Sequence, residues 1–94
     1  MMLRYAEPAA RELDEILAHT AAEYPGMARV LEQRLRKVTS RITLWPQSGR
    51  VVAERPDVRM APLGRFPFIL FYRVKDDFIE ILHIRHTGRA MRSI

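Results

Sequence analysis

The first half of the chain has apolar residues at the three- and four-residue spacing of amphipathic helices. Glu7-Pro8 favours a helix start, and Pro25-Gly26 favours its end. A second helix is predicted from Met27 until Pro46 stops it. The first helix would bury Ala9, Leu13, Ile16, Leu17, Thr20 and Tyr24. The second would bury Met27, Leu31, Leu35, Val38, Ile42 and Trp45. A tight turn between the two helices makes a helical hairpin.

The second half of the chain changes to a β pattern after a loop. Residues 46–57 are rich in turn-forming residues and are predicted to be that loop. The β-prone stretches are residues 3–5, 58–63, 66–75 and 78–86. The predicted fold is therefore one α+β domain over residues 1–94. An N-terminal strand and the helical hairpin pack on a three- to four-stranded antiparallel sheet.

A two-residue turn at Asp76-Asp77 sets the register of the last two strands. It places Arg73 opposite Glu80, which is a favourable pair of opposite charges. One face of this hairpin then carries Ile69, Phe71, Leu82 and Ile84, and the other carries Phe68, Leu70, Tyr72, Val74, Ile79 and Ile81. Both faces are apolar and the helices can cover only one. We therefore expect a partner protein on the other face, with a second copy of the chain as the alternative.

The composition is that of an ordinary globular domain, with 48% apolar and 29% charged residues. No apolar run approaches the roughly 20 residues that cross a bilayer, and the first residues lack the apolar segment of a signal peptide. There are no cysteines, so disulfides and thiolate metal ligands are excluded. We expect a cytoplasmic protein with no cofactor, no metal site and no membrane contact.

Positive charge is concentrated in the second half of the chain. The net charge is +5; residues 50–94 carry nine basic and five acidic groups, against seven and six before them. After Glu80 there is no further acid, whereas Arg85, Arg89 and Arg92 follow. A basic end of this kind indicates either an acidic partner or simply a solvated surface.

Several segments, in this order, carry a resemblance to a known family. They are Ala10-Arg11-Glu12-Leu13-Asp14-Glu15-Ile16, Trp45-Pro46-Gln47-Ser48-Gly49, Val58-Arg59 with Leu63, Phe66-Pro67-Phe68-Ile69-Leu70-Phe71-Tyr72-Arg73-Val74, and Ile81-Leu82-His83-Ile84-Arg85-His86-Thr87-Gly88-Arg89. Across essentially the whole chain, this arrangement resembles the RelE/ParE toxin superfamily. The resemblance implies the toxin of a toxin–antitoxin pair, with an antitoxin that covers the second apolar face.

The resemblance also implies a choice between two mechanisms. RelE-like members cleave mRNA on the ribosome, whereas ParE-like members inhibit DNA gyrase by binding. Cleavage needs a base, cations and an acid around the phosphate. The lysine positions of RelE-like toxins fall here on Met60 and Pro62, and their early arginine falls on Ile69. The tail tyrosine position falls past Ile94, and only the later arginine is matched, by Arg89. The ParE-like branch, which is not enzymatic, is therefore favoured.

The histidines do not rebuild a cleavage site on their own. His83 and His86 are three apart on a predicted strand, so their side chains point to opposite faces and cannot share a proton or a metal. His19 lies on the first helix without a spacing link to either. His86 belongs to His86-Thr87-Gly88-Arg89, an ending that resembles ParE-like sequences. His86 and Arg89 remain weak catalytic candidates.

The sequence therefore predicts a toxin that docks on its target through its basic C-terminal half. The residues predicted to contact the target or the antitoxin are Arg59, Arg65, Tyr72, His83, Arg85, His86, Arg89 and Arg92. The predicted partners are an antitoxin and DNA gyrase or the ribosome, in a homodimer or a toxin–antitoxin hetero-oligomer. The alternatives are a ribosome-dependent endoribonuclease with a non-standard site, and a non-toxic member that only forms interactions.

Overall fold

The computed structural model describes residues 1–90, and for Arg89 and Ala90 it describes the backbone only. The elements in order are β1 (Met2–Tyr5), α1 (Glu7–Glu23), α2 (Met27–Leu44), β2 (Arg50–Val52), β3 (Arg55–Pro62), β4 (Phe68–Val74), β5 (Phe78–His86) and α3 (Thr87–Ala90). The predicted α+β fold is confirmed, with the N-terminal strand and the helical hairpin placed as expected.

The helical hairpin begins and ends where proline and glycine predict. Pro8 occupies the first turn of α1, and Gly26 caps the start of α2 with a φ of +90°, a conformation that favours glycine. The helices turn their predicted stripes inward, and the fully buried positions are Ala9, Thr20, Leu31, Leu35, Val38 and Ile42. The predicted stripe is wrong at its ends, where Tyr24, Met27 and Trp45 are exposed.

The sheet has five strands within residues 1–90, in the order β1-β5-β4-β3-β2, and is mixed where the sequence predicts an antiparallel one. The extra strand is β2, which lies in the predicted loop and pairs with β3. The parallel contact is between β1 and β5, where Leu3 is opposite Ile79. The N-terminal strand thus adds to the edge beside the C-terminal strand, and the β4–β5 hairpin lies at the centre.

A β-bulge in β5 corrects the predicted register of this hairpin. The turn holds as predicted, because the Lys75 N–H donates to the Phe78 carbonyl at 2.8 Å and Arg73 pairs with Glu80. The predicted pairs Phe71–Leu82 and Leu70–His83 are wrong: Phe71 lies opposite His83, and Leu82 is left over. Every later residue of β5 therefore points to the face opposite the predicted one.

The bulge moves apolar area to the helix-covered face of the sheet. Ile84 packs with the core under α1 and α2, instead of on the second face where the uncorrected register puts it. The second face keeps a smaller cluster, with Val52, Val58 and Phe71 buried and Met60, Ile69 and Leu82 packed around them. Much of this face is therefore covered by the chain itself, and the apolar area left for a partner is smaller than the sequence predicts.

No helix among the described residues is long and apolar enough to cross a membrane.

Candidate functional site

Tyr72, which the sequence assigns to a contact surface, is instead a buried structural residue. Its side chain is 0% exposed. The Tyr72 hydroxyl donates to the Pro46 carbonyl at 2.8 Å and accepts the Gly49 N–H at 2.9 Å. A Cβ on Gly49 would lie 2.5 Å from that hydroxyl oxygen, so the approach requires glycine. The prediction of Tyr72 as a contact residue is therefore wrong, since its hydroxyl holds the loop before β2.

Arg59 acts on the same loop from β3. Its Nη1 donates to the Gly49 carbonyl at 2.8 Å and to the Gln47 carbonyl at 3.2 Å. The loop thus receives hydrogen bonds from two side chains, while the neighbouring Trp45 remains 68% exposed. An open groove runs beside it, lined by Met1, Trp45, Pro46, Gln47, Ser48, Pro56, Asp57, Arg59 and Val74. We call this the Trp45 groove.

A polar cluster forms where β5 extends past the end of β1. One Glu12 carboxylate oxygen accepts the Ile84 N–H at 3.1 Å and lies 3.2 Å from His83 Nδ1. The other oxygen lies 3.8 Å from Arg85 Nε, and an Arg85 amino group lies 3.2 Å from His83 Nδ1. All three charged or titratable side chains are half-buried. A carboxylate from α1 therefore occupies the free edge of β5, where another strand would otherwise pair.

Three of the predicted contact residues, Tyr72, His83 and Arg85, do not lie on a single surface. Tyr72 packs in the core beneath the helices, whereas the bulge places His83 opposite Phe71 and Arg85 opposite Ile69. The sequence reasoning missed the bulge because it assumed continuous pairing from the turn. His83 and Arg85 do lie together, and both contact Glu12 at the sheet edge.

The basic end is only partly described. His86 is exposed, stacks edge-on against Phe68 with ring centroids 5.8 Å apart, and accepts the Gly88 N–H at Nδ1. The backbone of Arg89 lies in α3, and Arg92 lies outside the described residues. His86 and His83 point away from each other, as predicted. Within residues 1–90, no group of three histidine or carboxylate side chains is placed to hold a metal ion.

Arg65 lies apart from all of these groups, in the connection between β3 and β4. It is exposed and borders an apolar groove at the start of α2, together with Met27, Val30, Arg34, Phe66 and Pro67. The structure therefore distributes the predicted contact residues over three regions: Arg59 by the Trp45 groove, Arg65 by the start of α2, and His83, Arg85 and His86 along the end of β5.

The three positions that RelE-like toxins fill with cations form no polar site here. Met60 and Ile69 pack against the apolar cluster of the second face, beside Phe71. Pro62 is exposed at the end of β3 and pairs with Ile69 across the strands. None of the three side chains carries an acid, a base or a charge, so these three positions offer no cation to a phosphate.

Two residues that matter to these sites escaped the sequence reasoning. The sequence-based predictions give Glu12 no site, and they place Trp45 in the core. A carboxylate on the inner side of α1 would have suggested a buried polar partner for Glu12. The position of Trp45 directly before Pro46 would have suggested that it lies past the helix end, where the apolar stripe no longer faces the core.

Comparisons with known proteins agree with this fold. The model of the ParE toxin family, described as the ParE toxin of the type II toxin–antitoxin system parDE, matches residues 3–91. A solved structure of the chromosomal ParDE toxin–antitoxin system from P. aeruginosa is similar with a TM-score of 0.77 and 31% identity. The match covers 92% of this chain and 95% of the chain in that structure. No curated protein sequence matches. The chain belongs to the ParE family of type II toxins.

Proposed function

We propose that this toxin acts by binding rather than by hydrolysis, that its target is DNA gyrase, and that a cognate antitoxin neutralises it. The observation that carries the proposal is the set of residues found where RelE-like toxins have their catalytic cations. Met60 and Ile69 pack into an apolar cluster with Phe71, and Pro62 lies beside them. Without cations at these positions, the sheet lacks the groups with which RelE-like toxins stabilise the charge of a cleaved phosphate.

The antitoxin part of the proposal draws support from the related structure. That protein is described as a ParDE toxin–antitoxin system, and it matches this chain over 92% of its length. The net charge of +5 also favours an acidic partner, because opposite charges raise the rate of association and select against other partners. We expect the toxin to meet both proposed partners in the cytoplasm.

The target would be contacted by the basic residues of the second half. Arg85 and His86 lie together at the end of β5, followed by Arg89 in α3. His83 lies against Arg85 and orients it, and Arg65 and Arg59 add charge elsewhere on the surface. Arg92 belongs to the same proposed surface by sequence alone.

The decisive experiment is a supercoiling assay with purified gyrase. We expect micromolar toxin to inhibit supercoiling, and we expect inhibition to disappear when the toxin is first mixed with its antitoxin. Expression in cells should also induce a DNA-damage reporter. Full supercoiling activity at micromolar toxin, with normal supercoiling in expressing cells, would exclude gyrase as the target.

A second assay separates binding from cleavage. Primer extension on mRNA after induction should give no new ends within codons. New ends that disappear in Arg89→Ala and His86→Ala variants would overturn the proposal in favour of a ribosome-dependent nuclease. Unimpaired growth on expression without antitoxin would show a member of the family that only forms interactions.

A further inference from the structure

Trp45 is a large aromatic side chain that the fold keeps in solvent. It follows the last residue of α2, and its N–H donates to the Arg41 carbonyl at 2.7 Å while its carbonyl accepts the Ser48 N–H at 2.9 Å. The backbone around it is therefore fixed at both its N–H and its carbonyl. A solvent-exposed tryptophan normally adds little to the stability of the folded chain, since most of its apolar area is not removed from water.

The loop that follows Trp45 is held more firmly than a surface turn requires. The buried Tyr72 hydroxyl is hydrogen-bonded to the Pro46 carbonyl and to the Gly49 N–H. Arg59 donates to the carbonyls of Gln47 and Gly49. A rigid loop reduces the conformational entropy lost when a partner binds to it. Tryptophans on preorganised surfaces are the residues most often found as energetic anchors of interfaces.

The lining of the Trp45 groove beside this loop is more apolar than polar. Met1 and Val74 line it with Trp45, and all three are among the exposed large apolar residues of the chain. Met1 is held there because its ammonium group donates to the Thr43 carbonyl at 3.4 Å. The groove has a cavity volume of about 790 Å³. This is enough to hold apolar side chains of a bound peptide segment.

The charges around the groove favour an acidic occupant. Its one lining carboxylate, Asp57, lies 3.8 Å from Arg55 Nε and 3.9 Å from an Arg73 amino group. Arg59 and the Met1 ammonium add positive charge at the groove itself. A second copy of this chain would bring the same cations against them, because a symmetric dimer places each surface patch on its own copy.

We propose that the Trp45 groove docks a segment of the cognate antitoxin in which an apolar side chain is flanked by a carboxylate. This inference rests on the proposed function, since it assigns a place on the toxin to the proposed partner. The apolar side chain packs on Trp45 and Val74, and the carboxylate lies near Arg59 and the Met1 ammonium. The docked segment also covers apolar area that the chain leaves in water.

Fluorescence of the toxin reports directly on this groove, because Trp45 is the only tryptophan of the chain. We expect the emission of Trp45 to shift to shorter wavelength when the antitoxin encoded beside this chain's gene is added. Quenching by acrylamide should fall at the same time. An antitoxin variant with its own tryptophans replaced by phenylalanine keeps the signal specific to the toxin.

Substitution of the anchor tests its contribution to affinity. Trp45→Ala should weaken antitoxin binding by about tenfold or more in calorimetry, as for a buried aromatic anchor. The matched control is Tyr24→Ala, because Tyr24 is also an exposed aromatic, 62% exposed, that follows the last residue of a helix. We expect this control to bind within about twofold of the unsubstituted toxin, since only the loss of an anchor contact changes affinity so strongly.

A pair of charge variants tests the acidic character of the occupant. Val74 lines the groove and is 41% exposed, so either charge is tolerated in the folded toxin. Val74→Glu should weaken antitoxin binding much more than Val74→Lys, because only the first opposes a carboxylate. Equal losses in the two variants would overturn the acidic occupant.

The outcomes separate the inference from the proposed function. An antitoxin that binds tightly while Trp45 emission and quenching stay unchanged overturns the inference alone. No binding at all overturns the proposed function, and the inference with it. A shift in emission that depends on the concentration of free toxin identifies a second copy as the occupant and also overturns the inference. Binding that shifts the emission of Trp45 and is weakened by about tenfold or more in Trp45→Ala supports it.

Discussion

Neighbouring residues on β4 face two sides of the sheet that are buried in different ways. Leu70 lies on the side under α1 and α2, whereas Phe71 lies on the other side in a cluster with Val52 and Val58. Both side chains are 0% exposed. On the second side, Val52 of β2 and Val58 of β3 pack with Phe71, close to register shifts at Val52 and in β5. Bulges of this kind bend a strand and increase its twist.

The difference teaches that an apolar strand face does not by itself demonstrate a partner. The pattern of β4 and β5 predicts an uncovered second face, but the folded chain covers its centre and leaves Ile69 and Leu82 only partly buried. The exposed apolar surface lies instead at the edges of the molecule, most clearly at Leu44 and Trp45. Four predictions test this comparison of the two faces.

The largest expected effect comes from truncation at the centre of each face. Leu70→Ala should lower the free energy of unfolding by about 2–5 kcal/mol, and Phe71→Ala by about 3–5 kcal/mol, because both leave cavities in closely packed surroundings. Urea unfolding followed by circular dichroism measures both. Val74→Ala is the control at an exposed position and should cost little. A loss below about 1 kcal/mol for Phe71→Ala would show that the second face is not a core.

The next effect concerns the polar contact inside the helix-covered face. Tyr72→Phe keeps the ring but removes the hydroxyl, which leaves the Gly49 N–H and the Pro46 carbonyl without their buried partner. We expect a loss of about 1–3 kcal/mol in the free energy of unfolding. Tyr24→Phe is the control, since Tyr24 is exposed. An unchanged stability in Tyr72→Phe would mean that water replaces the hydroxyl and that the loop is not fixed by Tyr72.

A smaller effect is expected from the ion pair on the second face. Arg73 Nε lies 2.8 Å from a Glu80 carboxylate oxygen, in the cross-strand position that the sequence predicts. Both side chains are partly exposed, so a double-mutant cycle with Arg73→Met and Glu80→Gln should give a coupling of about 0.5–1 kcal/mol. High salt should reduce it. A coupling that salt does not change would indicate packing instead of charge.

The smallest effect is a pH dependence from Tyr5, which packs against the helix-covered core. Burial raises the pKa of the Tyr5 phenol above its usual 10.0. The phenol therefore loses its proton in the unfolded chain first. Its contribution to stability is complete below pH 10 and is lost as the pH rises through the folded pKa. Tyr5→Phe should thus lose less stability than the unsubstituted protein between pH 8 and pH 10.5. Equal losses would contradict a raised pKa.

The residues of the candidate sites also fall into two groups, those that the sequence pattern predicts and those that it does not. The apolar character of Met60 and Ile69 can be stated from the sequence, since a missing cation needs no structure to be recognised. The Arg73–Glu80 pair can also be predicted, because the Asp76-Asp77 turn lies only a few residues from both side chains. The contact of Glu12 with His83 and Arg85 could not be predicted, because it joins α1 to β5 across the whole chain and depends on where β1 ends.

By itself, the sequence determined the two helices, their turn, four of the five strands and the β4–β5 turn. All of these depend on spacing and on proline or glycine within a few residues. Only the tertiary structure decided the parallel edge of β1 on β5, the bulge at Leu82 and hence the face on which Ile84, His83 and Arg85 lie. The physical reason is that pairing between distant strands and the twist of the sheet are settled by packing of the whole domain, and a shift of one residue in a strand reverses every side chain after it.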